Sequence, residues 1–597
     1  MILQALAEYY VRKRAADPDA FPEPGFERKE IPFLIVISED GRFLNLEDTR
    51  EGEGKKKRGR RFTVPQGEKR TGTKGWQKAF LLWDHLGYVL GVTVAGKPAD
   101  KAELQHGAFI ERIVGMFGDE PGDVGVLAVL TFLRSGDFSG LKGHPIWPEV
   151  ESTAGVNVSF RLSNDVCIVP ERPAVVRATR AAATAVPDHA MHAQCLVTGE
   201  SGPIATLHPV IKGVRGTQAM GANIVSFNLD AFRTHGRSQG ANAPVSERSV
   251  FAYTTALNRL LDRTSRQKAH VGDTTLVFWA AKDNPVEDFA AAFFQDDSAV
   301  LDDPDRGVAG LRAVFESPWH GHPPAKGDRS HFYVLGLAPN SSRIAIRFWH
   351  RTTVADFADA LLRHFDDVAV LRADWLPRHP SIRSLLKATA ILGKEDNIPP
   401  NLAGAVLHAI VSGQPYPRTL LSAAVQRIRS ELSDPSRGPG AQAWADRVSI
   451  IRGCLVRDGR THPTSQREVA VSLDPENTNA GYLLGRLFAV LERAQETGSP
   501  GIQSGIRDRY YASAAATPVA AFPTLMKLKN HHLGKIENRG AVVNLERLIG
   551  SISESIADFP SVLTLADQGR FALGYYHQRQ SFYSSKKAET PEEASHA

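Results

Sequence analysis

Cysteine is nearly absent from this chain of 597 residues. Cys167, Cys195 and Cys454 are an odd, widely spaced set that builds no disulfide framework, so the sequence points to a reducing, cytoplasmic setting. No stretch approaches the roughly 20 apolar residues of a membrane span, and a spanning helix is excluded from the reading. The opening segment MILQALAEYYVRKR has apolar residues at helical spacing. It lacks a continuous apolar core and a small-residue cleavage site, so it reads neither as a leader nor as an anchor. A phosphate-cradling G-x-x-x-x-G-K-[ST] run is also missing, which excludes a P-loop motor.

The composition is otherwise ordinary. Hydrophobic residues make up 42% and charged residues 23%, so the chain is neither wholly disordered nor fibrous. Single cores stop growing at about 250 to 300 residues, so several domains are expected. The net charge of +5 carries weight only where cations cluster.

The fold class expected is an α+β N-terminal portion of mixed strands and helices, followed by an all-α helical-bundle C-terminal domain. The first third reads as strand-rich. IPFLIVISEDGRFLNLED places two β-prone runs around Glu39, Asp40 and Gly41, a strong hairpin signal. Residues 52–78 then hold ten Lys/Arg against two Glu, with Gly and Pro punctuation that reads as an extended, mobile loop. Short strands (VNVSFRL, DTTLVFWAA) and helical patterns (VSERSVFAYTTALNRLLDR, VEDFAAAFF) mix as far as about residue 330. HFYVLGLAPNSSRIAIRFWHRTTVADFADALLRHF reads as strand, turn, strand and helix. From roughly residue 380 onward, apolar residues recur at i, i+3 and i+4 between short breaks, the pattern of a helical bundle. The expected divisions are residues 1–375, 376–470 and 471–585, with a disordered tail at 586–597.

Three groups of residues invite a chemical reading. His189, His192 and Cys195, with His208 beyond them, resemble a zinc set, but one cysteine among three imidazoles lacks the paired spacing of structural sites. Histidines satisfied by water or backbone explain the same residues. Metal-dependent cleavage would need a further set of ligands that the sequence does not offer, so no catalytic residue, metal or cofactor is assigned. The second group is the basic run Lys55, Lys56, Lys57, Arg58, Arg60 and Arg61, continued by Lys69, Arg70, Lys74 and Lys78. Cations at this density attract a phosphate backbone, and Phe62 and Trp76 are placed to stack on unpaired bases. A solvated loop, or a contact to an acidic protein, is the plainer alternative.

The third group is IKGVRGTQAMGANIVSFN, residues 211–228, which contains no acid. Gly213, Gly216 and Gly221 allow sharp turns and close approach to a partner. Lys212 and Arg215 supply cations, while Gln218, Asn223, Ser226 and Asn228 supply neutral donors and acceptors. That is equipment for entering a DNA minor groove. Gln239, Gly240 and Asn242 repeat the chemistry before a helix capped by Ser246. Residue chemistry alone leaves a pair of ordinary turns as an equal alternative.

The blocks CLVTGESGPIATLHPVIKGVRGTQAMGANIVSFN and GRSQGANAPVSERSVFAYTTALN, with SGQPYPRTLLSAAVQRIRSE, YLLGRLFAVLERAQ and GRFALGYYHQRQ, resemble one family almost end to end. That family is the large subunit of the type I-C CRISPR Cascade surveillance complex, the Cas-eight c-type proteins. The resemblance implies a non-enzymatic subunit that recognises the protospacer-adjacent motif in target double-stranded DNA. Such a subunit aids unwinding and R-loop formation, holds the displaced strand and docks a helicase-nuclease. Implied partners are the guide RNA complex with its backbone and guide-handle subunits. A metal-dependent nuclease subunit and a purely architectural protein–protein module are the rival readings.

The resemblance further implies a helical small subunit translated from an internal start near Val469 or Val471. Met526 is the only methionine beyond residue 220, so initiation there would use a non-methionine codon. From Val471 onward the chain holds 13 Lys/Arg and 13 Asp/Glu, so any DNA contact must come from one face. Arg486, Arg493, Arg507, Arg509, Lys527, Lys529 and Lys535 are the candidates. Within the glycine-rich loop the resemblance assigns motif reading and strand wedging to Lys212, Gly213, Gln218, Gly221, Asn223, Ser226 and Asn228, with Gln239 and Asn242 as companions.

Overall fold

The structure is a computed structural model, and it describes residues 1–52, 57–68, 70, 72–92, 99–153, 155–185, 190–294, 327–432, 440–462, 469–502 and 504–584. Its internal contacts divide the chain into two compact units. One comprises Met1–Pro209 and Ser226–Ala256, the other Val210–Val225 and Leu257–Ala597.

The first unit begins with helix α1 (Ile2–Ala16) and is built on a four-stranded mixed sheet. Strand β1 (Phe26–Glu30) lies outside that sheet, while β2 (Phe33–Ile37) is central, antiparallel to β3 (Phe43–Asp48) and parallel to β8 (Asn157–Leu162). Strand β7 (Trp83–His85) completes the sheet beside β8. All of β2, FLIVI, is buried because both of its faces are covered, as a continuous apolar run requires. Phe33, Ile35 and Ile37 pack with Phe109 and Ile113 of α2 (Ala99–Phe117) and with Val129 and Phe132 of α3 (Val124–Ser135). Leu34 faces the other way, into a small cluster with Phe62, Val64 and Trp83.

The turn expected at residues 39–41 lies between β2 and β3. The first third is less purely stranded than its sequence suggests, because α2 and α3 lie within it. Helix α3 reads VGVLAVLTFLRS, apolar on nearly every side, so it has little helical periodicity to detect. Its limits are marked instead by Asp123, whose carboxylate accepts from the N–H groups of Gly125 and Val126, and by Gly136 in the left-handed region at φ 65°.

The described part of the basic stretch, residues 57–68, 70 and 72–78, holds more regular structure than expected. Strands β4 (Arg50–Glu51) and β5 (Arg58–Gly59) pair as a hairpin, and β6 (Arg61–Pro65) pairs with β1 along its whole length. Phe62 and Val64 of β6 are core residues, so the segment cannot lift away without exposing them.

The second unit opens with an antiparallel sheet in the order β11 (Lys268–Val271), β12 (Thr274–Ala280), β13 (His331–Asn340) and β14 (Arg343–Thr353). The turn expected at residues 339–342 joins β13 to β14. Thr353 caps the next helix with its hydroxyl, which accepts from the N–H of Asp356. Phe278, Phe332 and Val334 share a core with Phe357 of that helix.

Beyond the sheet every regular element described is helical, as the sequence pattern anticipates. Counting helices of eight or more residues, the unit contains α6 (Val286–Phe294), α7 (Val354–Val368), α8 (Ile382–Thr389), α9 (Leu402–Ser412), α10 (Arg418–Leu432) and α11 (Ala441–Thr461). The chain then continues through α12 (Ala480–Gly498), α13 (Ile506–Ala516), α14 (Pro518–Leu533), α15 (Arg539–Glu554) and α16 (Leu565–Ser584). The earlier numbers belong to α4 (Pro173–Thr184) and α5 (Glu247–Leu260).

Two devices hold these helices together. Three buried arginines of α11 cap the ends of three others. Arg447 Nε donates to Ala388 O near the end of α8, and Arg452 Nη1 donates to Asp366 O and Asp367 O near the end of α7. Arg457 Nη1 donates to Ala409 O in the last turn of α9. These carbonyls lack intrahelical partners or sit beside groups that do. Arg457 also meets the fully buried Asp367 carboxylate at 2.7 Å and stacks on Tyr416.

The second device is the approach of α12 to α16. A Cβ added to Gly485 would lie 2.0 Å from Phe571 O, and one added to Gly574 would lie 2.1 Å from Tyr482 O. Two backbones therefore touch where side chains would ordinarily separate them.

Two predictions test these devices. Arg457→Met should destabilise the second unit by about 3–5 kcal/mol by leaving Asp367 without its deepest partner, and Arg457→Lys should not restore it, because one ammonium cannot reproduce the planar fork. Gly485→Val should destabilise the second unit by at least as much as ordinary core overpacking, about 1–3 kcal/mol. Both are read by urea denaturation followed by circular dichroism.

Candidate nucleic-acid interface

The glycine-rich segment Val210–Val225 belongs to the second unit and is fixed to it at four points. Ile211 and Ala222 exchange both backbone hydrogen bonds, at 2.8 and 2.9 Å, and close the neck of the loop. Asn258 of α5 accepts from Lys212 N at 2.8 Å and donates to Val210 O. Arg215 N donates to Thr275 Oγ1 on β12 at 3.0 Å. Asn223 O accepts from Ile344 N at 2.9 Å, part of an isolated parallel bridge to the start of β14. Ile211, Val214 and Ala222 are buried pegs beneath this framework.

Glycine is required at two of the bends. Gly213 has φ 90°, and a Cβ there would stand 2.6 Å from Leu261 O. Gly221 has φ 91°, and its Cβ would stand 2.7 Å from Ile211 O. Left-handed backbone and a carbonyl in the Cβ position together exclude other residues.

What the loop presents outward is short and polar. Lys212, Arg215 and Gln218 are exposed, and none has a side-chain hydrogen bond or ion pair among the described residues. Met220 beside them is 62% exposed. Asn223 is half-buried, with its backbone committed to β14. The neighbourhood is positive: His270 on β11 is held below its ordinary pKa first by burial and then by the charges of Lys268 and Arg215. An anion arriving here meets unpaired cations on a stiff backbone.

The companion residues Gln239 and Asn242 fall in the first unit, to which Ser226 and Asn228 also belong. Gln239 is exposed, with a left-handed backbone at φ 46°. Asn242 is committed to its own loop. Its Oδ1 accepts from Thr234 N and Oγ1, and its Nδ2 donates to Gln239 O and Arg237 O. Both ends of the amide are occupied, so Asn242 shapes the turn that carries Gln239.

Residues 236–240, GRSQG, match the spacing of a nucleophile elbow. That motif needs a strand running into the turn and a helix leaving it. Here a 3-10 turn, Asp230–Phe232, precedes Ser238, and a second, Gln239–Asn242, follows it.

Within the basic stretch, Lys55, Lys56 and Lys69 lie outside the described residues. Lys57, Arg58, Arg60 and Lys74 are exposed. Arg61 lies 3.7 Å from Glu30, and Lys78 lies 3.5 Å from Glu68. Arg70 has a structural task. Its guanidinium lies 3.8 Å from the ring centroids of both Phe80 and Tyr88, donates to Lys78 O, and pairs with the buried Asp84. Phe62 is buried and Trp76 packs against the core, so neither is offered to bases as expected.

Of the zinc-like residues, His192, Cys195 and His208 are described. Asp188 and His189 lie outside the described residues, and no group of three or more His, Cys, Asp or Glu suited to a metal occurs among those described. Buried His208 shares a 2.6 Å hydrogen bond with Tyr253, and burial lowers its pKa to about 4. Burial raises the Cys195 thiol, but hydrogen bonds from Ser246 and Thr198 outweigh it and bring the pKa to about 6.

In the C-terminal bundle, Asn479 caps α12, its side-chain oxygen accepting from Tyr482 N. Arg486 is buried against Gln578 and Pro475 O, Arg493 faces Glu496, and Arg507 faces Glu492. These three brace the bundle. Arg509, Lys527 and Lys535 are the exposed members of the expected set, and Lys529 is half-buried.

The sequence profile of one family, CRISPR-associated protein (Cas_Csd1), matches residues 6–583. The chain therefore belongs to this family, which indicates a CRISPR-associated Cascade large subunit working in a multi-subunit complex. No curated protein matches the chain. Among the described residues no helix is long and apolar enough to cross a membrane.

Arg70→Met tests whether this cation is structural. Burial already raises the Asp84 carboxyl, with Arg70 opposing the shift. The folded state therefore holds this proton more tightly than the unfolded chain, so stability falls as pH rises through the folded pKa. Removing Arg70 should raise that pKa further, destabilise the first unit by about 3–5 kcal/mol at pH 7, and allow partial recovery as pH falls, measured by urea denaturation across pH.

Proposed function

We propose that this family member is the type I-C large subunit, and that its glycine-rich loop reads the protospacer-adjacent motif of target duplex DNA. The observation that carries the reading is the loop itself: a backbone pinned at Ile211, Arg215, Ala222 and Asn223, with Lys212, Arg215 and Gln218 turned outward and unpaired. A stiff loop loses little conformational freedom on binding, so its few contacts discriminate effectively. Lys212 and Arg215 hold phosphates, while Gln218 offers an amide that both donates and accepts at a base edge. The protein reads only the short motif, and the guide RNA reads the remainder by base pairing.

In this reading the subunit cuts no nucleic acid itself. It works in the cytoplasm beside the backbone and guide-handle subunits, aids unwinding, holds the displaced strand and docks the helicase-nuclease. Lys57, Arg58, Arg60 and Lys74 add phosphate contacts that carry no sequence information. The internally translated small subunit fits the same account. A product starting at Val471 contains α12 to α16 whole, with Asn479 and its cap near the new end.

The test uses the assembled complex and duplexes with and without the correct adjacent motif. Gln218→Ala should weaken discrimination by about 1–3 kcal/mol and leave assembly intact. Lys212→Ala should weaken binding to both duplexes and reduce the salt slope by about 1. Full discrimination in both variants removes the loop from this role. Synonymous recoding of Val469 and Val471 should abolish the short product without changing the full chain, detected by mass spectrometry.

A further inference from the structure

A second surface, in the first unit, has the opposite character. Val124 and Leu127 stand on one face of α3, three residues apart, and are 46% and 40% exposed. Val166, on the loop after β8, is fully exposed. Three large apolar side chains in water would be unremarkable if scattered, but polar contacts tie together the segments that carry these. The Arg172 guanidinium bridges Asp123 and Asp165, the residues immediately before Val124 and Val166. Asn164 donates to Glu39 at 2.6 Å, which ties the same loop to the β2–β3 turn. That turn rests on α3, with Gly41 packed against Thr131 and Ala128.

The rim of this patch is acidic. Glu39, Asp40, Asp119 and Glu120 are exposed, and the three nearby arginines are already occupied, Arg172 by Asp123 and Asp165, Arg42 by Asp40 at 2.9 Å and Arg134 by Asp119 at 2.5 Å. Surplus carboxylates in a chain of net charge +5 repel a phosphate backbone. They complement a protein surface that carries lysine or arginine around apolar side chains. Apolar centre, charged rim and rigid support are the ingredients of a protein interface.

We propose that the face formed by Val124, Leu127 and Val166, rimmed by Glu39, Asp40 and Asp119, docks a basic, apolar-tipped segment of another protein subunit. The glycine-rich loop contributes no residue to this face, so the two readings stand or fall separately.

Benzoylphenylalanine placed at Leu127 or Val166 of the full chain, within the assembled complex, tests the proposal by photocrosslinking. The expected result is a crosslink to a protein segment holding Lys or Arg beside apolar residues. Leu127→Asp with Val166→Asp should lower retention of that subunit at least tenfold. The charge reversal Glu120→Lys should do the same more strongly at low salt than at high salt. Far-UV circular dichroism and the melting curve should be unchanged, since Glu120, Leu127 and Val166 are all exposed. Crosslinks only to nucleic acid, no crosslink in the assembled complex, or full retention by the charge-reversed variant would overturn it.

Discussion

The helical unit depends on what a buried guanidinium can do at the end of a helix. Each helix terminates in carbonyls that its own N–H groups cannot reach, and inside a protein water is not available to satisfy them. Helix α11 supplies Arg447, Arg452 and Arg457 to the final turns of α8, α7 and α9. The spacing of five residues rotates each successive side chain around the helix, so one element reaches three neighbours. A lysine or an apolar residue at these positions would leave donors and acceptors mismatched in a medium where that mismatch is expensive.

The same economy of placement governs the candidate interface. A loop that discriminates between similar partners needs a fixed backbone and free side chains together, and these requirements conflict unless the backbone finds all its bonds elsewhere. Here the neck pairing of Ile211 with Ala222, the amide of Asn258 and the edge of β14 take up the main chain. Lys212, Arg215 and Gln218 are left to the solvent. The basic stretch illustrates the reverse case, since Arg70 and Phe62 are drawn into the fold and only part of its charge remains outward.

Charge is thus divided by task. Some cations pack against aromatic rings or buried carboxylates and stabilise the units, while others face water beside glycine-shaped backbone. Carboxylates gather around exposed valine and leucine on α3. A net charge near zero for the C-terminal bundle conceals the same separation, because Arg486 and Arg507 face inward while Lys527 and Lys535 face water.

The sequence by itself determined the elements whose signals are local. The β2–β3 and β13–β14 turns, the Thr353 and Asn479 caps and the helical character beyond about residue 380 are legible because turn and cap chemistry acts within a few residues. The glycine pattern of the loop is legible for the same reason. Tertiary structure alone decided which polar groups are available. Asn242 and Gln218 look equivalent in sequence, yet one is enclosed by Thr234 and Gln239 and the other is not. Arg70 and Arg58 share one basic run, yet only Arg70 lies against Asp84. Helix α3 hides its periodicity by being apolar on nearly all sides, and the arginines of α11 resemble a solvated face until partners far along the chain enclose them. Such partnerships join residues tens of positions apart, and no local pattern encodes which carbonyl or carboxylate will arrive.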